Sequence, residues 1–180
     1  MLYSIRRALA GGAVGGIVGG AFLALTLMIY GWLTAGRSFW DAPLALFAWL
    51  VGMGHFGQPA NHIGPIVGGA GAYLAYGLIV GVAFALVTLV VRPALLGVVI
   101  TGVGFAIGLW AIVRYEVLTL NDPESVLFTR GRIAPQWVWW LGNGILGLTV
   151  GCAVAGSLRF VRRARVPVVH RDAEQLRPAA

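Results

Sequence analysis

Two histidines, His55 and His62, and a charged pair, Arg114 and Glu116, are the residues of this 180-residue chain whose types and spacing invite chemistry. Seven positions apart, the histidines would share a face of a helix, and two imidazoles on one face suit a haem or a metal. The intervening FGQPAN contains Gly57 and Pro59, which will not sustain that helix. Without Cys or carboxylate neighbours the pair is a poor zinc or iron site. It reads as part of an outer surface loop, where a quinone headgroup near the interface is the ligand an imidazole would suit. Arg114 and Glu116 stand two apart, on different helix faces, so each needs another partner. They read as interfacial charges snorkelling to water, with a vestibule role as the alternative. His170, beside Arg171, belongs to a polar tail. No nucleophile–base arrangement, paired carboxylates or phosphate-cradling loop occurs, so no catalytic residue, metal or cofactor is expected and the chain does not read as an enzyme.

The elements that must position these groups are apolar. Hydrophobic residues make up 59% of the chain and charged ones 11%, far from a soluble domain. Positions 8–36, 63–91, 93–113 and 133–158 carry no charged residue or histidine. Each is long enough to cross ~30 Å of hydrocarbon, which takes about 20 residues. Four spans are predicted, at about 10–34, 65–91, 94–118 and 137–158, within a membrane domain 1–163 that precedes a polar tail, 164–180. The first is too long for a cleavable signal core and reads as a retained helix. A shorter apolar run, 42–54, holds Pro43 and Trp49 and follows Trp40. Its length predicts an interfacial helix between the first two spans. Phe39, Trp40, Phe47, Trp49, Trp137, Trp139 and Trp140 map to one headgroup level. That one-sidedness predicts a lid, 42–54, packed under the start of the fourth span. With Trp40, Trp49, His55, His62, Arg114, Glu116 and the 120–136 loop, it would form an outer docking surface.

Charge sets the orientation. All thirteen basic residues are arginines, and the net charge is +7. Arg6, Arg7, Arg92, Arg159, Arg162, Arg163, Arg165, Arg171 and Arg177 fall on one side of the four-span map. These nine, less Asp172 and Glu174, put +7 there. On the other side Arg37, Arg114, Arg130 and Arg132 cancel Asp41, Glu116, Asp122 and Glu124. This is the positive-inside pattern, with both termini cytoplasmic in a bacterial inner membrane. Arg159, Arg162, Arg163 and Arg165 would meet anionic headgroups, at about 1 kcal/mol each. Nucleic acid is not an expected partner. The single cysteine, Cys152, lies in the last span, so no disulfide framework exists within the chain.

Glycine supplies the packing code. Gly11, Gly12, Gly15, Gly16, Gly19 and Gly20 form two rows of four-residue spacing on the first span. Lipid tails are as apolar as leucine, so membrane helices associate by close packing, which small residues four apart permit. The same spacing recurs as Gly77 with Gly81, Gly104 with Gly108, and Gly147 with Gly151. Each span is therefore expected to present a groove to another helix, within the chain or in a neighbour.

Spans two and four share more. GLIVGVAFA at 77–85 and GLTVGCAVA at 147–155 match at an offset of 70, as do IGP at 63–65 and IAP at 133–135. A duplicated hairpin, two tandem helical hairpins in all, is the expectation. The set Trp110, Tyr115, Leu118, Leu120, Asn121 and Pro123, continued by Trp137, Trp140, Gly147 and Gly151, resembles a family of small four-helix bacterial inner-membrane proteins. FWDAPLALFAWLVG before the second span fits it too. The resemblance implies fold and location and no activity. Members of that family often carry a His one turn before the glycine pairs of spans two and four, places held here by Tyr73 and Asn143.

The sequence thus reads as an all-α membrane protein, an accessory or scaffolding subunit whose partners are the bilayer and other transmembrane helices. The alternatives are a small homo-oligomeric transporter or channel, and a quinone- or haem-associated subunit.

Overall fold

The computed structural model describes residues 2–51, 63–91, 94–114 and 134–164. Among them the chain is helical: α1 (Leu2–Ala35), α2 (Asp41–Val51), α3 (Ile63–Val91), α4 (Leu95–Ile112) and α5 (Gln136–Ala164), with no strand. Four of these, all but α2, are long and apolar enough to cross a membrane. The seven glycines of α1 do not break it, because an unmade backbone hydrogen bond in hydrocarbon costs several kcal/mol. The helix ends where the chain leaves it through Gly36, in the left-handed conformation at φ 58°. The Arg37 N–H then caps the Gly31 carbonyl at 3.2 Å.

Helix α1 is the centre of the bundle. It packs along α3 on one side and α5 on the other, while α4 leans mainly on α5 and α2 on α3. Accordingly 50% of α1's apolar window is buried, against 22% of α4's. The outward faces are apolar, with Val14, Ile17, Val67, Ile79, Leu86, Val90, Leu96 and Ile100 all exposed. A soluble protein rarely shows so broad an apolar surface, whereas a bilayer covers it.

The two glycine rows of α1 have different partners. Gly12, Gly16 and Gly20 lie against the α3 backbone at Gly81, Gly77 and Tyr73. Gly11, Gly15 and Gly19 lie against α5 at Ser157, Ala153 and Leu146. On α5, Gly147 and Gly151 turn to α4, where they meet Gly102, Val103 and Val99. Gly104 and Gly108 differ from the expectation of a packing pair. A Cβ on either would find nothing within 4 Å, and the α4 seam runs instead through Val98, Gly102 and Ala106, all buried. Positions 102 and 104 are about 200° apart around a helix, so both cannot serve one interface.

Helix α2 also differs from its expected place. It docks on α3 and α1 and makes no close backbone approach to α5. The Pro43 carbonyl settles on Gly69, and the Phe47 ring lies over Gly68 at 2.6 Å from where a Cβ would be. The two small residues at the start of α3 draw α2 there.

Candidate functional site

Helices α3 and α4 follow one another in the chain but touch little. Phe84 and Phe105 meet at 5.6 Å between ring centroids. Toward the start of α3 and the end of α4 the helices part, leaving a cavity of about 360 Å³. Its walls come from all five helices. Leu23 of α1 forms part of it, Leu46 and Leu50 come from α2, and Ala72, Tyr73, Ala75, Tyr76 and Ile79 from α3. Trp110 and Val113 at the end of α4, and Trp139 of α5, complete the lining.

The aromatic members are held in defined ways. Trp110 and Trp139 stack with centroids 4.7 Å apart and planes 11° from parallel. Tyr76 donates its hydroxyl to Asn143 Oδ1 at 3.1 Å, and Asn143 Nδ2 donates to the Trp139 carbonyl at 2.9 Å. This chain of bonds ties α3 to α5 through an asparagine that is 0% exposed. Tyr73 is buried too, at 2%, and its hydroxyl meets no hydrogen-bond partner among the described residues. An orphaned hydroxyl at this depth costs about 1–3 kcal/mol, which calls for a reason. Beside the cavity α4 ends in a wide turn at Val113 and Arg114 with π-type geometry. There the Val113 N–H is shared between the Leu109 and Trp110 carbonyls. Such turns recur at functional sites.

Sequence reasoning did not single out this cluster, although the offset of 70 that relates the glycine pairs also relates Tyr73 to Asn143. Trp139 was expected in the headgroup belt with its neighbours. It turns inward instead, at 4% exposure, whereas Trp137 stays outside at 59% and meets Tyr30 edge-on. Alternate sides of one helix turn explain the split.

The expected docking surface is seen only in part. His55, His62 and Glu116 lie outside the described residues, as do most of the 120–136 loop, Arg165 and the tail from 165 on; the Trp49 side chain is likewise not described. Trp40 is exposed and packs edge-on against Phe39. Arg114 is half-buried in the closing turn of α4. Of the basic cluster, Arg159 is exposed on α5, and Arg162 and Arg163 continue the same helix. Among the described residues no three His, Cys, Asp or Glu side chains gather as metal ligands.

The mid-span threonines are spoken for. Thr26, Thr88, Thr101 and Thr149 each donate to a carbonyl four residues earlier in their own helix, at 2.6–2.8 Å. Comparison of the chain with family models, with curated proteins and with solved structures finds no match.

Proposed function

We propose that this chain is a bacterial inner-membrane protein with both termini cytoplasmic. It is non-catalytic and serves as an accessory subunit that packs against another membrane helix. The observation that carries this reading is the open glycine pair of α4. The glycine rows of α1, α3 and α5 are filled by neighbours in the same chain, while Gly104 and Gly108 have nothing within 4 Å on the helix least covered by the bundle. An uncovered small-residue pair is the surface on which a further helix approaches closely. Among the described residues the threonines return their hydroxyls to their own helices, which leaves little there to line a solute path and disfavours the channel alternative.

Two tandem hairpins, α1 with α3 and α4 with α5, fit the same packing. Gly77 and Gly81 receive α1, and Gly147 and Gly151, 70 residues later, receive α4.

Affinity purification in mild detergent tests the reading. Wild type should travel with a larger assembly, and the double change Gly104→Leu and Gly108→Leu should release it without lowering the chain's own stability. A chain that runs alone and unchanged by the double substitution, or that moves a solute in liposomes by itself, overturns the proposal.

A further inference from the structure

We propose that the groove between α1 and α5, at the arginine-bearing end of the bundle, seats one anionic phospholipid. Its phosphate lies on Arg7 and an acyl chain runs along the trough. The groove has a volume of about 530 Å³ and is lined by Arg7, Ala10, Gly11 and Val14 of α1 and by Ala153 and Ser157 of α5. That volume is within the usual range for a small-molecule site. The spacing explains its form. Residues 7, 10, 11 and 14 recur at three and four positions and so share one face of α1, as 153 and 157 do on α5. Gly11 lies directly against Ser157, which makes a shallow floor, and Arg7 stands at one end of it.

Charge complementarity selects the headgroup. Arg7 is half-buried beside walls that are otherwise mainly apolar. Ser157 donates its hydroxyl to the Ala153 carbonyl at 2.9 Å, so Arg7 is the side-chain donor that the lining offers a ligand. A guanidinium carries five N–H donors in a planar fork, enough to grip a phosphate while keeping another contact. Neither α1 nor α5 contains an Asp or Glu. Arg6 and Arg159, both exposed, add positive charge at the same end. The local field therefore favours a headgroup of net negative charge over one that carries its own ammonium.

The far end of the groove selects a lipid. Val14, seven residues on from Arg7 and about 10 Å farther along the axis, is 61% exposed within the apolar span Ile5–Thr34. A ligand that reaches from Arg7 to Val14 leaves the headgroup level for hydrocarbon, as a phospholipid does and inorganic phosphate does not. A further helix laid in the groove would bury the guanidinium, which is costly unless that helix also brings a carboxylate.

The experiment uses the full chain in detergent, titrated with dioleoylphosphatidylglycerol or dioleoylphosphatidylcholine and followed by native mass spectrometry. Wild type should retain one phosphatidylglycerol and hold phosphatidylcholine more weakly. Arg7→Gln should lower the affinity for phosphatidylglycerol about fivefold. Ala10→Phe, which fills the groove from an exposed position, should lower it at least as much. Arg159→Gln, which removes a charge that does not line the groove, should bind as wild type does. Equal losses from Arg7→Gln and Arg159→Gln would show a diffuse field in place of a site and overturn the proposal. So would equal retention of the two lipids, an Ala10→Phe protein that binds normally, or displacement of the lipid by inorganic phosphate. None of these outcomes depends on whether the Gly104–Gly108 face has a partner.

Discussion

Gly16 of α1 and Gly77 of α3 meet backbone to backbone, and a Cβ on either would collide with the carbonyl oxygen of the other. The relation is reciprocal, so neither residue can be enlarged unless the helices separate. In an isolated helix Gly→Ala gains about 0.5–1 kcal/mol. At this crossing the sign reverses. Gly16→Ala or Gly77→Ala should each destabilise the bundle by about 1–3 kcal/mol, the usual cost of overpacking. Gly104→Ala, facing open space, should be neutral or mildly stabilising. Unfolding in mixed micelles measures all three, and equal effects at 16 and 104 would refute the seam.

The charge asymmetry makes a second prediction. In a Cys152→Ser background, a cysteine at Ser38, exposed between α1 and α2, should react with an impermeant maleimide in intact cells. A cysteine at His170, in the arginine-rich tail, should react only after the membrane is opened. Labelling of position 170 from outside would invert the topology.

The four long helices were legible because hydrocarbon imposes a simple demand: about 20 residues without charge. Which face of each helix finds which neighbour was less so. Helix α4 is apolar all round, and both Gly102 with Ala106 and Gly104 with Gly108 satisfy the four-residue rule. The choice of the first depended on where α5 presents Gly147 and Gly151. Helix α2 was sought near α5 because the aromatic residues around both map to one headgroup level. Backbone accessibility at Gly68 and Gly69 decided its place instead. The crevice was illegible for a related reason. Its aromatic residues come from three helices, and a tryptophan near a span's end reads the same whether it faces lipid or, like Trp139, the interior.

The bond between Tyr76 and Asn143 makes the last prediction. Asn143 has no exposed surface and spends its amide on two bonds, one from the Tyr76 hydroxyl and one to the Trp139 carbonyl. Tyr76→Phe leaves Oδ1 without its donor, and Asn143→Leu leaves the Tyr76 hydroxyl without its acceptor. Each single change should therefore cost about 1–3 kcal/mol, the penalty of stranding a buried polar group. The double change strands neither, so it should cost less than the two singles together. The coupling expected of an interhelical hydrogen bond in a membrane is about 0.6 kcal/mol and at most about 1.7. A double-mutant cycle by denaturant titration in mixed micelles resolves a value in that range. Strict additivity would mean that the α3–α5 contact rests on van der Waals packing at this level and that Asn143 acts only on its own helix.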